Sequence, residues 1–204
     1  MRTNVVPGAL GERYDGVFIV GEAPGPDENE RGFPFVGPSG RSMGEMLQEH
    51  GLHRSMFFFT NVAKCWPHVM GPKGRWQTIP PKIEEIRACF PRWFLQELHK
   101  LKPHTIVSLG GNALQAFLPG GKIGNVHGRT LNCIIDDYGE VKLIPLYHPA
   151  AAMHNPDLDV KVRADFAALP ELLGAEAERD ESEDADYTWV QTDAEANEMI
   201  EVIR

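Results

Sequence analysis

Apolar positions along the chain fall into two alternating regimes. Runs of nearly continuous apolar character occupy residues 16–21, 57–64, 105–110 and 141–149, the pattern of strands buried on both faces. Between them the apolar spacing becomes helical. Met43, Met46 and Leu47 share one face of a capped helix predicted over 39–50. A long helix is predicted over 81–101, entered through Pro81, where the missing N–H costs nothing. Shorter helices are predicted over 112–117 and 159–173, and Asp136-Asp137-Tyr138-Gly139 reads as the turn before the last strand. Strands alternating with helices predict a three-layer α/β/α fold around a central, mostly parallel four-stranded sheet. Ligands of such folds sit beyond the carboxyl ends of the strands, and the unusual residues of this chain lie just after strand ends.

Length and composition bound the reading. With 204 residues, 42% of them hydrophobic and 24% charged, the chain supports one buried domain plus a short extra piece, and disorder throughout is excluded. No apolar run approaches the roughly 18 residues a bilayer requires, and no signal-peptide core opens the sequence. Three cysteines are too few for a disulfide framework and indicate a reducing interior. A cytoplasmic monomer in a bacterium or viral host, without membrane partners, is expected. The net charge of −9 is localised: residues 1–175 carry 18 acids and 18 bases, whereas 176–186 (EAERDESEDAD) carries seven acids against Arg179. The expected organisation is a domain over 1–175, an acidic linker over 176–186 and a strand–helix fragment over 187–204. A neutral body argues against a protein that coats DNA non-specifically, but local patches still permit phosphate contacts.

Four stretches carry candidate chemistry. Gly21-Glu-Ala-Pro-Gly25-Pro-Asp-Glu28 succeeds a strand, and its glycines allow backbone amides to approach a ligand, although any tight strand-to-helix turn looks similar. It is not a GxxxxGK[ST] phosphate loop, which disfavours a P-loop nucleotidase. Gly32-Phe-Pro-Phe-Val-Gly37-Pro-Ser-Gly40 is a rigid loop in which Phe35 is either core or a platform for a nucleobase. Thr60-Asn61-Val-Ala-Lys64-Cys65 offers a carboxamide that either caps a turn or reads a base edge with one acceptor and two donors. Tyr147-His148-Pro149-Ala150 holds an imidazole that is either structural or a donor to an anion developing on a ligand.

Taken together, GEAPG…E, GFPFVGPSG, TNVAKC, VSLGGNA and YHPA, in that order, resemble the uracil-DNA glycosylase superfamily, most closely its family 4, the iron–sulfur type. The resemblance runs from about Arg2 to Leu173. It implies an enzyme of base excision repair, a hydrolase that extrudes uracil from DNA and cleaves its N-glycosidic bond. It further implies that Phe35 stacks on uracil, that Asn61 pairs with N3–H and O4, and that His148 donates to O2. Glu22 and Ala23 are expected against the base, Glu22 being the motif's polar residue, and Glu28 near C5, where it excludes the thymine methyl. The resemblance implies no dedicated aspartate base for water, and no residue is assigned that role here. Ser39, Gly40 and Arg41 are expected on DNA, with Met153 as the wedge in its groove. The alternative reading is a catalytically weak glycosylase-fold module that binds DNA or uracil and is fused to a DNA polymerase; a plain nucleotide-binding α/β domain is disfavoured.

Family 4 also implies a [4Fe–4S] cluster held by four cysteines. Only Cys65 and Cys89 match that ligand set, and their long spacing suggests an insertion around Val69 to Thr78. The N-terminal CxxC of the family is absent. The opening residues, Arg2 to Gly8, resemble the family stretch immediately after that CxxC, so the sequence reads as beginning just downstream of it. No cofactor is therefore assigned. Cys133 has no counterpart and reads as packing. The last 18 residues, from Tyr187, resemble the first strand and helix of the 3′–5′ exonuclease domain of family-A DNA polymerases, which suggests a fusion to an exonuclease or polymerase region.

Overall fold

The run Val17–Gly21 forms the strand from which the fold is built, and every one of its residues is buried. A computed structural model describes residues 4–174; the expected linker and strand–helix fragment lie outside these residues. In chain order the strands are β1 (Ala9–Leu10), β2 (Val17–Gly21), β3 (Phe57–Asn61), β4 (His68–Met70), β5 (Trp76–Thr78), β6 (Thr105–Leu109), β7 (Leu131–Ile135) and β8 (Gly139–Leu146). The helices are α1 (Pro26–Arg31), α2 (Pro38–Glu49), α3 (Ile83–Cys89), α4 (Leu95–Leu101), α5 (Gly111–Leu114), α6 (Ile123–Val126), α7 (Pro149–His154) and α8 (Pro156–Gly174).

The expected parallel core of four strands is present as β3-β2-β6-β8. The count of four is corrected to six, because β1 joins β3 and β7 joins β8 as antiparallel edges. Neither edge announces itself. The first is two residues long, and in β7 the exposed Ile134 stands where an alternating strand would place a polar residue. The sheet separates two apolar layers because successive strand residues face opposite sides. Phe18 and Val20 pack with Phe90, Phe94 and Leu98 of the α3–α4 layer, whereas Val17 and Ile19 pack with Met43, Met46 and Leu47 of α2 and Phe166 and Leu169 of α8.

The long helix predicted over 81–101 begins later and is interrupted. A π-helical turn occupies Phe90–Phe94, and the N–H of Leu95 bonds to the carbonyl of Phe90. Pro91 accounts for the break, since it has no N–H to give to the α-helical ladder. The expected insertion is an antiparallel hairpin, β4–β5, in which the His68 ring stacks on Trp66 at 4.2 Å and meets Trp76 edge-on at 4.7 Å.

One buried ion pair joins three parts of the chain. The Lys64 ammonium is 0% exposed and donates to Thr60 Oγ1 and to both Glu97 oxygens, at 2.9 and 2.7 Å. Gly8 N donates to Glu97 Oε1 at 3.1 Å, so the same carboxylate also holds the N-terminal segment. Burial pushes the Lys64 pKa down and Glu97 opposes it. Glu97→Gln keeps an acceptor but leaves the ammonium without its counter-charge. It is expected to lower unfolding stability by about 2 kcal/mol, read as a shift in the urea midpoint at unchanged slope.

Candidate active site at the carboxyl edge of the sheet

The parallel strands finish level. Gly21 is paired with Asn61 and Val20 with Ser108, while Leu109 is paired with Leu146. The motifs that leave these strand ends therefore share one edge, although up to 127 positions separate Gly21 from His148 in sequence. Gly21 is where two of them meet. A Cβ on Gly21 would lie 2.4 Å from Asn61 Oδ1 and 2.8 Å from Phe35 Cζ, so the amide and the ring edge both rest against the bare backbone of this glycine. Asn61 is only 4% exposed, and its carboxamide oxygen faces the bare backbone of Gly21.

Phe35 is held in the left-handed region, with φ = 56°. For a bulky residue this is a strained conformation, at about 1–3 kcal/mol, and it persists only where neighbours enforce it. Two do so here. Glu28, at the start of α1, accepts hydrogen bonds through Oε1 from Val36 N at 2.9 Å and Gly37 N at 2.7 Å, and through Oε2 from Gly25 N at 3.0 Å. Gly40, in the first turn of α2, lies so close that a Cβ there would sit 2.1 Å from the Phe35 carbonyl oxygen. The carboxylate expected beside a substrate's C5 is thus committed to backbone amides that join the 21–28 and 32–40 loops. Arg41 adds a bond from its guanidinium to Val36 O at 3.0 Å.

His148 is the N-cap of α7, and its Nδ1 accepts from Ala150 N at 3.1 Å. That bond requires a lone pair on Nδ1, so the neutral ring carries its proton on Nε2 and donates from there. Burial pushes the imidazole pKa down to about 4, against the opposing charge of Glu28, so the ring is neutral across the physiological range. Gly110, with φ = 86°, leaves room beneath it; a Cβ there would meet His148 Cβ at 3.1 Å.

Sequence reasoning missed the residues that brace these groups. Asp165 is buried in α8; its Oδ2 accepts from Tyr147 N at 2.8 Å and its Oδ1 bonds His127 Nδ1 at 2.7 Å. This fixes the backbone one residue before His148. The available signal was an acid on the apolar stripe of Val162, Phe166 and Leu169. Asn112 is likewise a neighbour of the Glu22 carboxyl group, whose pKa is raised chiefly by burial while Asn112 acts to lower it. Glu22 Oε1 is buried without any partner.

The remaining candidates are spread around this edge. Ala23 packs against the α3–α4 layer. Ser39 and Gly40 stand in the first turn of α2, where backbone N–H groups have no intrahelical acceptor, and Arg41 is exposed beside them. Met153 is 52% exposed on α7. Cys65 and Cys89 are near enough for one to act on the other. Burial pushes the Cys65 thiol up, and Cys89 and Glu85 add to this, while Val5 bridges to Cys65 from the N-terminal segment. Among the described residues no three His, Cys, Asp or Glu side chains group to hold a metal ion. Two thiols do not fit a [4Fe–4S] cluster, which takes four. The buried Cys133 thiol donates to Phe117 O at 3.3 Å and is raised to about 12. Among the described residues no helix is long and apolar enough to cross a membrane.

Comparison with known proteins gives consistent results. The profile described as Uracil DNA glycosylase superfamily matches residues 10–172. The chain is 38% identical over 179 residues to the type-4 uracil-DNA glycosylase of Archaeoglobus fulgidus, covering 85% of this chain and 84% of that protein. It is 39% identical over 171 residues to the type-4 uracil-DNA glycosylase of Pyrobaculum aerophilum, covering 81% and 82%. The solved structure of wild-type SMUG2 from Pedobacter heparinus superposes with a TM-score of 0.53 at 14% identity, over 81% of this chain and 77% of that one, a likeness of fold.

Proposed function

The chain belongs to the uracil-DNA glycosylase superfamily, and from that premise we propose that it hydrolyses the N-glycosidic bond of uracil in DNA, as a base excision repair enzyme, with the Phe35, Asn61 and His148 side chains acting on one extruded base. The observation that carries this reading is the meeting of the Phe35 ring and the buried Asn61 amide at Gly21.

The bond between C1′ and uracil N1 breaks with its electron pair leaving on the base. A cationic sugar and a uracil anion result, so the protein's main task is to stabilise negative charge in a site shielded from water. His148 Nε2–H donates to O2 of the departing base, and the ring does so while neutral. Asn61 donates to O4 and accepts from N3–H; cytosine presents the opposite pair of groups and leaves both amide atoms unpaired. The strained backbone at Phe35 sets the ring against the base before it arrives, so no ordering is required on binding. Glu22 Oε1, buried and unpartnered, is the acceptor available to the water that adds at C1′. Uracil-containing DNA approaches over the first turn of α2, with Met153 filling the space the base vacates.

Asn61→Ala is expected to lower excision roughly 10- to 100-fold, the cost of leaving the buried edges of uracil unpaired at about 1–3 kcal/mol, while DNA binding changes little. Cleavage of a single-uracil oligonucleotide after alkali measures it. Excision at the wild-type rate would remove Asn61 from the site and the reading with it.

A further inference from the structure

Beside the uracil site a groove of about 570 Å³ runs along α2. Its walls carry three guanidiniums, Arg31, Arg41 and Arg54, together with His53, and Glu45 is the one carboxylate among its lining residues. Phe35 and Val36 also line it, so the loop that carries the ring meeting Asn61 at Gly21 forms one wall of the groove. A groove of this size accommodates a nucleotide.

The arginines are not neutralised by the protein. Among the described residues none of the three forms an ion pair. Arg41 spends one N–H on Val36 O and Arg54 one, at 3.4 Å, on Gly40 O, which leaves most of the five donors of each guanidinium uncommitted. Arg54 is further constrained: its guanidinium lies 4.2 Å over the Phe59 ring, and burial lowers its pKa. A partly buried cation without a counter-charge is unfavourable alone and favourable once an anion arrives. The planar fork of arginine matches phosphate oxygens two at a time.

We infer that this groove is a phosphate subsite, filled by the backbone of the DNA strand that flanks the extruded nucleotide, with Arg31 and Arg54 as its anchors. The inference rests on the excision reading given above. A strand whose base enters beside Phe35 has a path across the 35–41 loop, and that loop lines the groove. Recognition there is of backbone charge, not of sequence, and it strengthens binding only for substrates long enough to reach Arg54.

The test compares a uracil-centred trinucleotide with a single strand longer than the roughly 16 nucleotides that such grooves span. Arg31→Gln and Arg54→Gln are each expected to raise KM for the long strand roughly 3- to 10-fold, leave kcat unchanged and leave the trinucleotide unaffected. Each is also expected to reduce the dependence of log binding constant on log salt by about 0.7, the value of one phosphate contact on a single strand. Arg54→Lys restores the salt dependence. Arg31 is exposed, so its variant keeps the test decisive even if Arg54→Gln folds poorly. Unchanged KM and salt slope in well-folded variants overturn the inference. Inorganic phosphate or deoxyuridine monophosphate that raises the melting temperature of the wild type but not of the variants, at unchanged salt slope, assigns the site to a free phosphate ligand and overturns its DNA source. Failure of excision itself would appear in the wild type on both substrates, and is distinguishable from either result.

Discussion

His148→Ala is expected to lower the single-turnover rate of uracil excision about 10²- to 10³-fold, the usual loss when one preorganised donor to a developing anion is removed. Binding of uracil-containing DNA should change far less, because O2 gains most of its charge only as the bond breaks. The pH profile separates this from a general loss of structure. With the imidazole held at about 4, the wild-type rate should show no inflection near the ordinary histidine value of about 6.5. Above its pKa the ring is neutral, Nδ1 keeps its bond from Ala150 N and Nε2 donates; the rate should therefore not fall as pH rises from about 5.5 to 8. As pH drops through about 4, protonation of Nδ1 opposes that bond and the rate should fall. A clear inflection between about pH 6 and 7 that disappears in His148→Ala would mean that the charged ring acts, contrary to the geometry at the start of α7.

Gly21→Ala is expected to cost about 10²-fold or more in kcat/KM, although it adds one methyl group and removes no functional side chain. The new Cβ would overlap both Asn61 Oδ1 and Phe35 Cζ. Neither can yield cheaply, since Asn61 ends a buried strand and Phe35 is fixed by Glu28 and Gly40. A displacement of about 1 Å at a reacting site costs on the order of 10²-fold. Thermal unfolding alongside the kinetics distinguishes the outcomes. A folded variant with near-wild-type excision would show that the ring and the amide do not act on the same base.

The core strands were legible because each is buried on both faces and so is continuously apolar; Val17–Gly21 and Thr105–Leu109 end within a residue of expectation. Edge strands lack that signature, and β1 and β7 went unseen. The break at Phe90 was present in the sequence as Pro91, but helical periodicity on both sides concealed it. In the site, Phe35, Asn61 and His148 were legible as residue types that chemistry requires. Their supports were not. Glu28 was expected near the substrate, but its three bonds to backbone amides depend on two loops meeting in space and had no local signal. Asp165 acts on a residue 18 positions away across the fold, and no local pattern encodes that distance.

The left-handed backbone at Phe35 has a consequence for how this protein tolerates change. Glycine or asparagine at that position would relieve the torsional strain but would remove a buried ring packed edge-on against Phe59, a loss of about 3–5 kcal/mol that exceeds what the strain returns. Selection for heat resistance alone would therefore keep an aromatic at position 35, because the ring fills the layer between the sheet and α2. The strain at Phe35 is thus carried by packing as well as by Glu28 and Gly40, and stabilising substitutions belong on the other side of the sheet, where they leave this loop undisturbed.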